Sequence, residues 1–212
     1  MERDTLEFDA VILAGGRSSR LGGIPKQSLV YDGTSLLQRA LDAAGGAAGL
    51  VVVGPESGVL PTGVLSCRED PPFAGPAAAV GAGLAALAQT GHARPFTLVL
   101  ACDMPNVAAA VQALAKAIQP QETGMAGSDG VMAVSPDGRL QPLVGFYSTA
   151  ALQRSVQDLA SRGALTNGSV RTLLASLDVQ LVTVPAGSTE DVDTWDDAAA
   201  LGVASQEPRP GS

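Results

Sequence analysis

The chain has 212 residues, of which 46% are hydrophobic and only 3% aromatic, and its net charge is −8. That length suits one domain rather than two, and the acidic balance argues against a duplex nucleic-acid binder, which needs a basic face. Alanine is about one residue in six, so the core must be built from Ala, Val and Leu, with helices lying close on a sheet.

Phe8 to Ala14 is an apolar run that ends at glycines, as a buried parallel strand does. A glycine-rich stretch follows from Gly15 to Lys26. Ser35 has capping-box spacing, and a helix should run to about Ala44. Leu50 to Val53 and Val64 to Cys67 read as the next strands. Gly75-Pro76 opens an Ala-rich helix to about Gln89, with proline at its favoured first position. Phe96 to Ala101 is the clearest central strand, and Val107 to Ile118 a helix. Gly130 to Ser135 and Leu140 to Ser148 are strands around the turn Pro136-Asp137-Gly138. Helices are expected near Ala150–Leu159 and Ser169–Leu177, then a strand Val179 to Val184 and a helix Thr194 to Leu201. This alternation predicts a doubly wound, mostly parallel sheet in one domain over residues 1–204, with a flexible tail at 205–212. Such sheets bind ligands beyond the carboxyl ends of their strands, so the loops after Ala14, Val53, Ala101 and Val184 carry the interest.

MERDTLEFDA lacks the apolar core of a signal peptide, and Pro76 to Ala88 is too short to span a bilayer. Cys67 and Cys102 do not make a disulfide framework. A reduced cytoplasmic protein without membrane or nucleic-acid partners is expected.

Gly15 and Gly16 expose successive N–H groups that can wrap phosphate oxygens. Arg17, Arg20 and Lys26 add three cations within ten residues. Neither G-x-G-x-x-G nor a Walker loop fits, because Lys26 stands between Pro25 and Gln27. Asp103, directly after the central strand, points toward the ligand crevice and suits Mg²⁺, which takes one or two carboxylates with phosphate oxygens and water; the alternative is a helix cap. Asp193 is a second candidate ligand, although carboxylates also favour a helix start there. His92 falls in a polar link and reads as solvated. A loop lysine such as Lys26 should bury little.

The segment Leu13-Ala-Gly-Gly-Arg-Ser-Ser-Arg-Leu-Gly-Gly-Ile-Pro-Lys26 resembles the signature loop of the nucleotidyltransferases that include molybdenum cofactor guanylyltransferase. Gly75-Pro76, Cys102-Asp-Met-Pro105, Gln141-Pro-Leu143 and Asp191-Val-Asp-Thr194 are similar to further motifs of that family, in the same order. Pro25 stands where the family usually has Asp; Pro25-Lys26-Gln27 is similar to the cytidylyltransferases of isoprenoid synthesis. The resemblance implies a Rossmann-like three-layer α/β sandwich of the nucleotide-diphospho-sugar transferase type, with a mostly parallel, mixed sheet. It implies GTP and a molybdopterin-type cofactor as substrates, Mg²⁺ as the metal, and transient contact with molybdoenzymes or cofactor-synthesis proteins. Leu13, Ala14, Gly15, Gly16, Lys26, Gly54, Asp70, Gly75 and Asp103 would bind the nucleotide. Arg20, Lys26 and Asp103 would be catalytic, and Asp103 with Asp193 would hold the metal. The acceptor would lie near Gln141 and the loop Arg162–Asn167. Two other readings stay open: a cytidylyltransferase acting on the molybdenum cofactor or a sugar or polyol phosphate, and a nucleotide-binding protein without turnover.

Overall fold

The computed structural model describes residues 6–16, 19–55, 60–91, 94–118 and 128–205. Arg17, His92 and the tail from residue 206 lie outside them. The main sheet contains β1 (Phe8–Leu13), β4 (Leu50–Val53), β5 (Val64–Cys67), β6 (Phe96–Ala101), β7 (Gly130–Val134), β8 (Leu140–Ser148) and β9 (Val179–Thr183). Their order across the sheet is β5-β4-β1-β6-β8-β7-β9. Among them β8 alone runs against its neighbours, β6 and β7; the other pairings are parallel. The doubly wound, mostly parallel expectation therefore holds.

Helices cover both faces, which is why the central strands are apolar on successive residues rather than on alternate ones. Ala10 and Ile12 of β1 face α1 (Leu36–Ala43) and α3 (Val107–Ile118), in a core that includes Leu37, Leu41, Val111 and Leu114. Val11 and Leu13 face α2 (Pro76–Ala88), α4 (Thr149–Ser161) and α5 (Val170–Leu174). α2 sits so close that a Cβ on Gly83 would lie 2.6 Å from Val11 Cγ1. α5 is shorter than the Ser169–Leu177 expectation, with Ser169 as its N-cap.

The sequence reading missed a second, three-stranded sheet. β2 (Val30–Tyr31), β3 (Thr34–Ser35) and β10 (Val203–Ala204) pair antiparallel in the order β10-β2-β3. Leu21, Leu29, Leu36, Val192, Ala198 and Val203 form a small core beside it. This layer ties the segment after the glycine loop to α6 (Trp195–Leu201). α6 begins at a capping box between Thr194 and Asp197 and ends at Gly202 in the left-handed conformation, φ 73°.

Among the described glycines, Gly130 leaves the least room for a side chain. Its φ is +146°, and an added Cβ would lie 2.1 Å from the Phe146 carbonyl oxygen. Gly130→Ala should therefore destabilise the fold by at least about 2 kcal/mol, which lowers Tm by at least about 4 °C for a chain of this size. Calorimetry checks this; an unchanged Tm contradicts the account of strand packing.

Candidate functional site

Strands β1, β4 and β6 end along one edge of the sheet, and β8, running the other way, begins there. Leu13 O accepts from Cys102 N at 3.1 Å, and Ala14 N donates to Val53 O at 2.8 Å. These bonds continue the ladder past the strand ends, and the chains then diverge around a cavity of about 290 Å³. Leu13, Ala14, Gly15, Gly16, Lys26, Gly75 and Asp103 all line it, as do Gln27, Glu69 and Phe73. Gly54 supports the glycine loop from behind: a Cβ there would lie 2.9 Å from both Ala14 C and Gly15 N. Gly75, φ +93°, turns the chain into α2 against the Gly168 carbonyl.

Two expected site residues fall elsewhere. Asp70 is exposed and is not part of the cavity wall; its neighbour Glu69, 8% exposed, is. The alternation of β5 explains this: Leu65 and Cys67 pack toward α2, and period two places Glu69 on the same side. Arg20 is exposed on the short 3₁₀ turn Ser19–Leu21 and is likewise not among the lining residues.

Lys26 opens a second 3₁₀ turn, Lys26–Ser28. Its Nζ donates to Asp103 Oδ2 at 3.1 Å and to Asp193 Oδ1. The side chain is only 20% exposed, which corrects the expectation that a loop lysine would bury little. Asp103 and Asp193 are aligned through the backbone, since Val192 N donates to Asp103 O at 3.0 Å. The structure thus sends Asp103 to Lys26. The alternative placed on Asp193, a role at the helix start, is filled by Asp197: it accepts from Thr194 N at 2.8 Å and from Asp193 N at 3.2 Å.

Asp191 completes the group and was not singled out in the sequence. Carboxylate oxygens of Asp103, Asp191 and Asp193 lie within 4.8 Å of one another. Burial, then the charges of Asp103 and Asp193, push the Asp191 carboxyl above its ordinary value. At Lys26, burial alone would lower the ammonium pKa, but Asp103 and Asp193 outweigh it and raise the value. An all-oxygen donor set of three carboxylates fits a hard divalent cation such as Mg²⁺ or Mn²⁺. The placement of Lys26 among them shows that the cluster favours positive charge.

A second cavity, about 580 Å³, lies beyond the cluster, lined by Ser135, Arg139, Gln141, Glu190, Asp191 and Asp197 among others. The carboxylates therefore sit between two hollows, Asp103 facing one and Asp191 the other. Of the two places expected for an acceptor, Gln141 borders this second hollow. The loop Arg162–Asn167 instead packs beside Gly75, where Asn167 N donates to Ala74 O at 2.5 Å. Cys67 and Cys102 are free. Among the described residues, no helix is long and apolar enough to cross a membrane.

A glycine loop, a lysine and a carboxylate cluster at the carboxyl edge of a mixed α/β sheet belong to the nucleotidyltransferase class. The chain matches the MobA-like NTP transferase domain over residues 10–181 and belongs to that family. Over 110 residues it is 36% identical to a molybdenum cofactor guanylyltransferase of Ralstonia nicotianae, covering 49% of this chain and 50% of that protein. It thus spans about half the length of the curated relative it matches. Among solved structures it is similar to the manganese complex of Rv0371c from Mycobacterium tuberculosis (TM-score 0.62, 21% identity, covering 92% of this chain and 97% of that one). It is also similar to molybdopterin-guanine dinucleotide biosynthesis protein A of Archaeoglobus fulgidus (0.61, 18%, 91% and 96%). A third is 2-C-methyl-D-erythritol 4-phosphate cytidylyltransferase of Thermus thermophilus (0.64, 20%, 92% and 97%). At these identities the likeness is one of fold.

The raised Asp191 carboxyl gives a pH prediction for the metal-free protein. A carboxyl that binds its proton more tightly when folded makes stability fall as pH rises through the range above 3.8. Asp191→Asn should therefore raise Tm at pH 7 in the presence of a chelator, and the gain should shrink toward pH 4. A Tm lowered at pH 7, or a gain independent of pH, contradicts the charge assignment.

Proposed function

We propose that the protein transfers GMP from GTP to a molybdopterin-type molybdenum cofactor, releasing pyrophosphate, with Mg²⁺ as its metal. The observation that carries this reading is the cluster of Lys26, Asp103, Asp191 and Asp193 lying between two cavities, one for each substrate. In this reading, GTP occupies the cavity at Gly15 and Gly16, whose N–H groups meet the β- and γ-phosphates. The acceptor occupies the hollow beside Gln141. A phosphate oxygen of the acceptor attacks the α-phosphorus of GTP, a new P–O bond forms, and the bond to the β-phosphate oxygen breaks. The pyrophosphate leaves with that oxygen and its electron pair. A phosphomonoester is mostly ionised at pH 7, its second pKa being about 6, so no general base is required.

The obstacle is repulsion between two anions, and the task is positioning and charge stabilisation. Lys26 turns from the carboxylates to the transferring phosphate and the leaving pyrophosphate; Arg20, expected to share that role, would have to swing in from its exposed turn. Asp103, with Asp193 and Asp191, would hold the divalent cation, which supplies charge neutralisation for the phosphates. The manganese-bound relative and the guanylyltransferase relative both support this reading. One observation favours a second: Pro25-Lys26-Gln27 is similar to the cytidylyltransferases of isoprenoid synthesis and suits cytidylyl transfer to a polyol phosphate.

Isothermal titration with Mg²⁺ separates the two. GTP should bind at least tenfold tighter than CTP or ATP; a preference for CTP selects the cytidylyl reading, and equal affinities overturn base-specific transfer altogether. Lys26→Ala should cut pyrophosphate release more than tenfold, since charge-assisted contacts to phosphate contribute roughly 1.5–3 kcal/mol; a rate within twofold of the parent contradicts its role. Asp103→Asn keeps the size of the side chain but should need far more Mg²⁺ for the same rate. An unchanged Mg²⁺ dependence removes Asp103 from the metal site.

A further inference from the structure

We propose that Arg39 is a positioning residue for the metal site: it holds the loop of Asp103 and the segment of Asp191 and Asp193 at the spacing that a small divalent cation requires. This rests on the three carboxylates holding the cation, and it names the group that sets their geometry.

The carboxylates come from two segments. Asp103 follows β6, whereas Asp191 and Asp193 precede α6. Among the described residues, two links join these segments at the cluster: the bond from Val192 N to Asp103 O, and the Lys26 ammonium between Asp103 and Asp193. The second is lost when Lys26 moves to phosphate, which leaves the spacing to the backbone bond and to any tie from outside. Arg39 is such a tie. Helical spacing places it one turn beyond Leu36, on the α1 face that meets the small core. Its Nε donates at 2.5 Å to the carbonyl of buried Pro105, two residues past Asp103. Its guanidinium carbon lies 4.7 Å from the centre of the Tyr31 ring, a cation–π distance. Tyr31 pairs with Val203 of β10, which follows α6 across Gly202. One side chain thus grips both segments, the first directly and the second through the small sheet.

Arginine suits this task because its planar guanidinium donates in its own plane while its face stacks on a ring; a lysine ammonium is a point charge without that fixed geometry. None of the ion pairs among the described residues includes Arg39. It is half-buried, beside Leu37, Ala40 and Leu41, which carry the packing of α1 on the main core. Charge and position predict opposite signs. A cation near the carboxylates repels a metal, so a role through charge alone means that removing Arg39 tightens metal binding. A positioning role means that removing it weakens binding. The choice of ion separates positioning from general stability. Mg²⁺ demands near-ideal octahedral geometry at about 2.0–2.1 Å, while Ca²⁺ accepts longer and more flexible coordination. Loosened carboxylates therefore penalise Mg²⁺ first.

The test is Mn²⁺ binding by electron paramagnetic resonance without nucleotide, with Mg²⁺ and Ca²⁺ as competitors. It compares the wild type, Arg39→Met, Arg39→Lys, Tyr31→Leu and the control Asp103→Asn, with Tm recorded for each. The wild type should bind Mn²⁺, and Asp103→Asn should weaken it at least tenfold. Arg39→Met should weaken Mg²⁺ at least fivefold and Ca²⁺ less than twofold, and Arg39→Lys should not bring Mg²⁺ back to within twofold of the wild type. Tyr31→Leu should weaken Mg²⁺ at least threefold, and adding it to Arg39→Met should cost less than twofold more, since both remove one tie. Mg²⁺ affinity unchanged or tightened in Arg39→Met, both ions weakened equally, or full rescue by lysine overturns the role of Arg39 while leaving the metal site intact. Mn²⁺ binding that is absent from the wild type, or indifferent to Asp103→Asn, overturns the metal reading together with it. Should Arg39→Met fail to fold, Tyr31→Leu decides: an unchanged Mg²⁺-to-Ca²⁺ affinity ratio overturns the proposal by itself.

Discussion

The structure turns on the placement of one ammonium group among three carboxylates. Asp103, Asp191 and Asp193 would repel one another at the distances they keep, and Lys26 sits against two of them. These residues come from the first, middle and last parts of the chain. The pair with Asp193, whose side chain is 49% exposed, contributes about 0–1 kcal/mol, while the pair with Asp103 is half-buried. What the cluster provides is a locus of strong local field, held open to solvent, where charge can be exchanged. Lys26 satisfies two of the carboxylates, and in the proposed function a metal–nucleotide complex would replace it.

The rest of the architecture serves to hold that locus in register. Parallel strands β1, β4 and β6 deliver their loops to one edge, and the reversed β8 brings Leu143 to the same edge from the opposite direction. The glycine loop can lie close to the β4 turn because neither Gly15 nor Gly54 carries a side chain. The small second sheet then fastens Lys26 and Asp193 together: Leu21, Leu29 and Leu36 on one side meet Val192, Ala198 and Val203 on the other. Membership of the MobA-like family accounts for this shared layout, while the residues within it set the chemistry.

Much of this was legible in the sequence, for physical reasons that differ by element. Leu50–Val53, Val64–Cys67, Phe96–Ala101, Val107–Ile118 and Leu140–Ser148 occur with the bounds expected, because mostly apolar segments between glycine, proline and polar residues leave little ambiguity. The two-residue strands β2, β3 and β10 carry no periodicity and could not be seen. The burial of Lys26 depends on residues 77 and 167 positions away, which no local pattern encodes. Asp191 was hidden among the several acids around α6, since a helix start explains them all equally well. Glu69 was within reach: the alternation Leu65, Cys67, Glu69 pointed to the α2 face, but the resemblance drew the choice to Asp70 instead.

A crystal grown with GTP and Mn²⁺, with anomalous data collected at the manganese edge, tests the central claim most directly. The account predicts manganese bound among Asp103, Asp191 and Asp193. It predicts the triphosphate along Gly15 and Gly16, and Lys26 Nζ moved from the carboxylates onto phosphate oxygens. GTP bound outside this cavity, or Lys26 still held between Asp103 and Asp193 with no phosphate in contact, would contradict it.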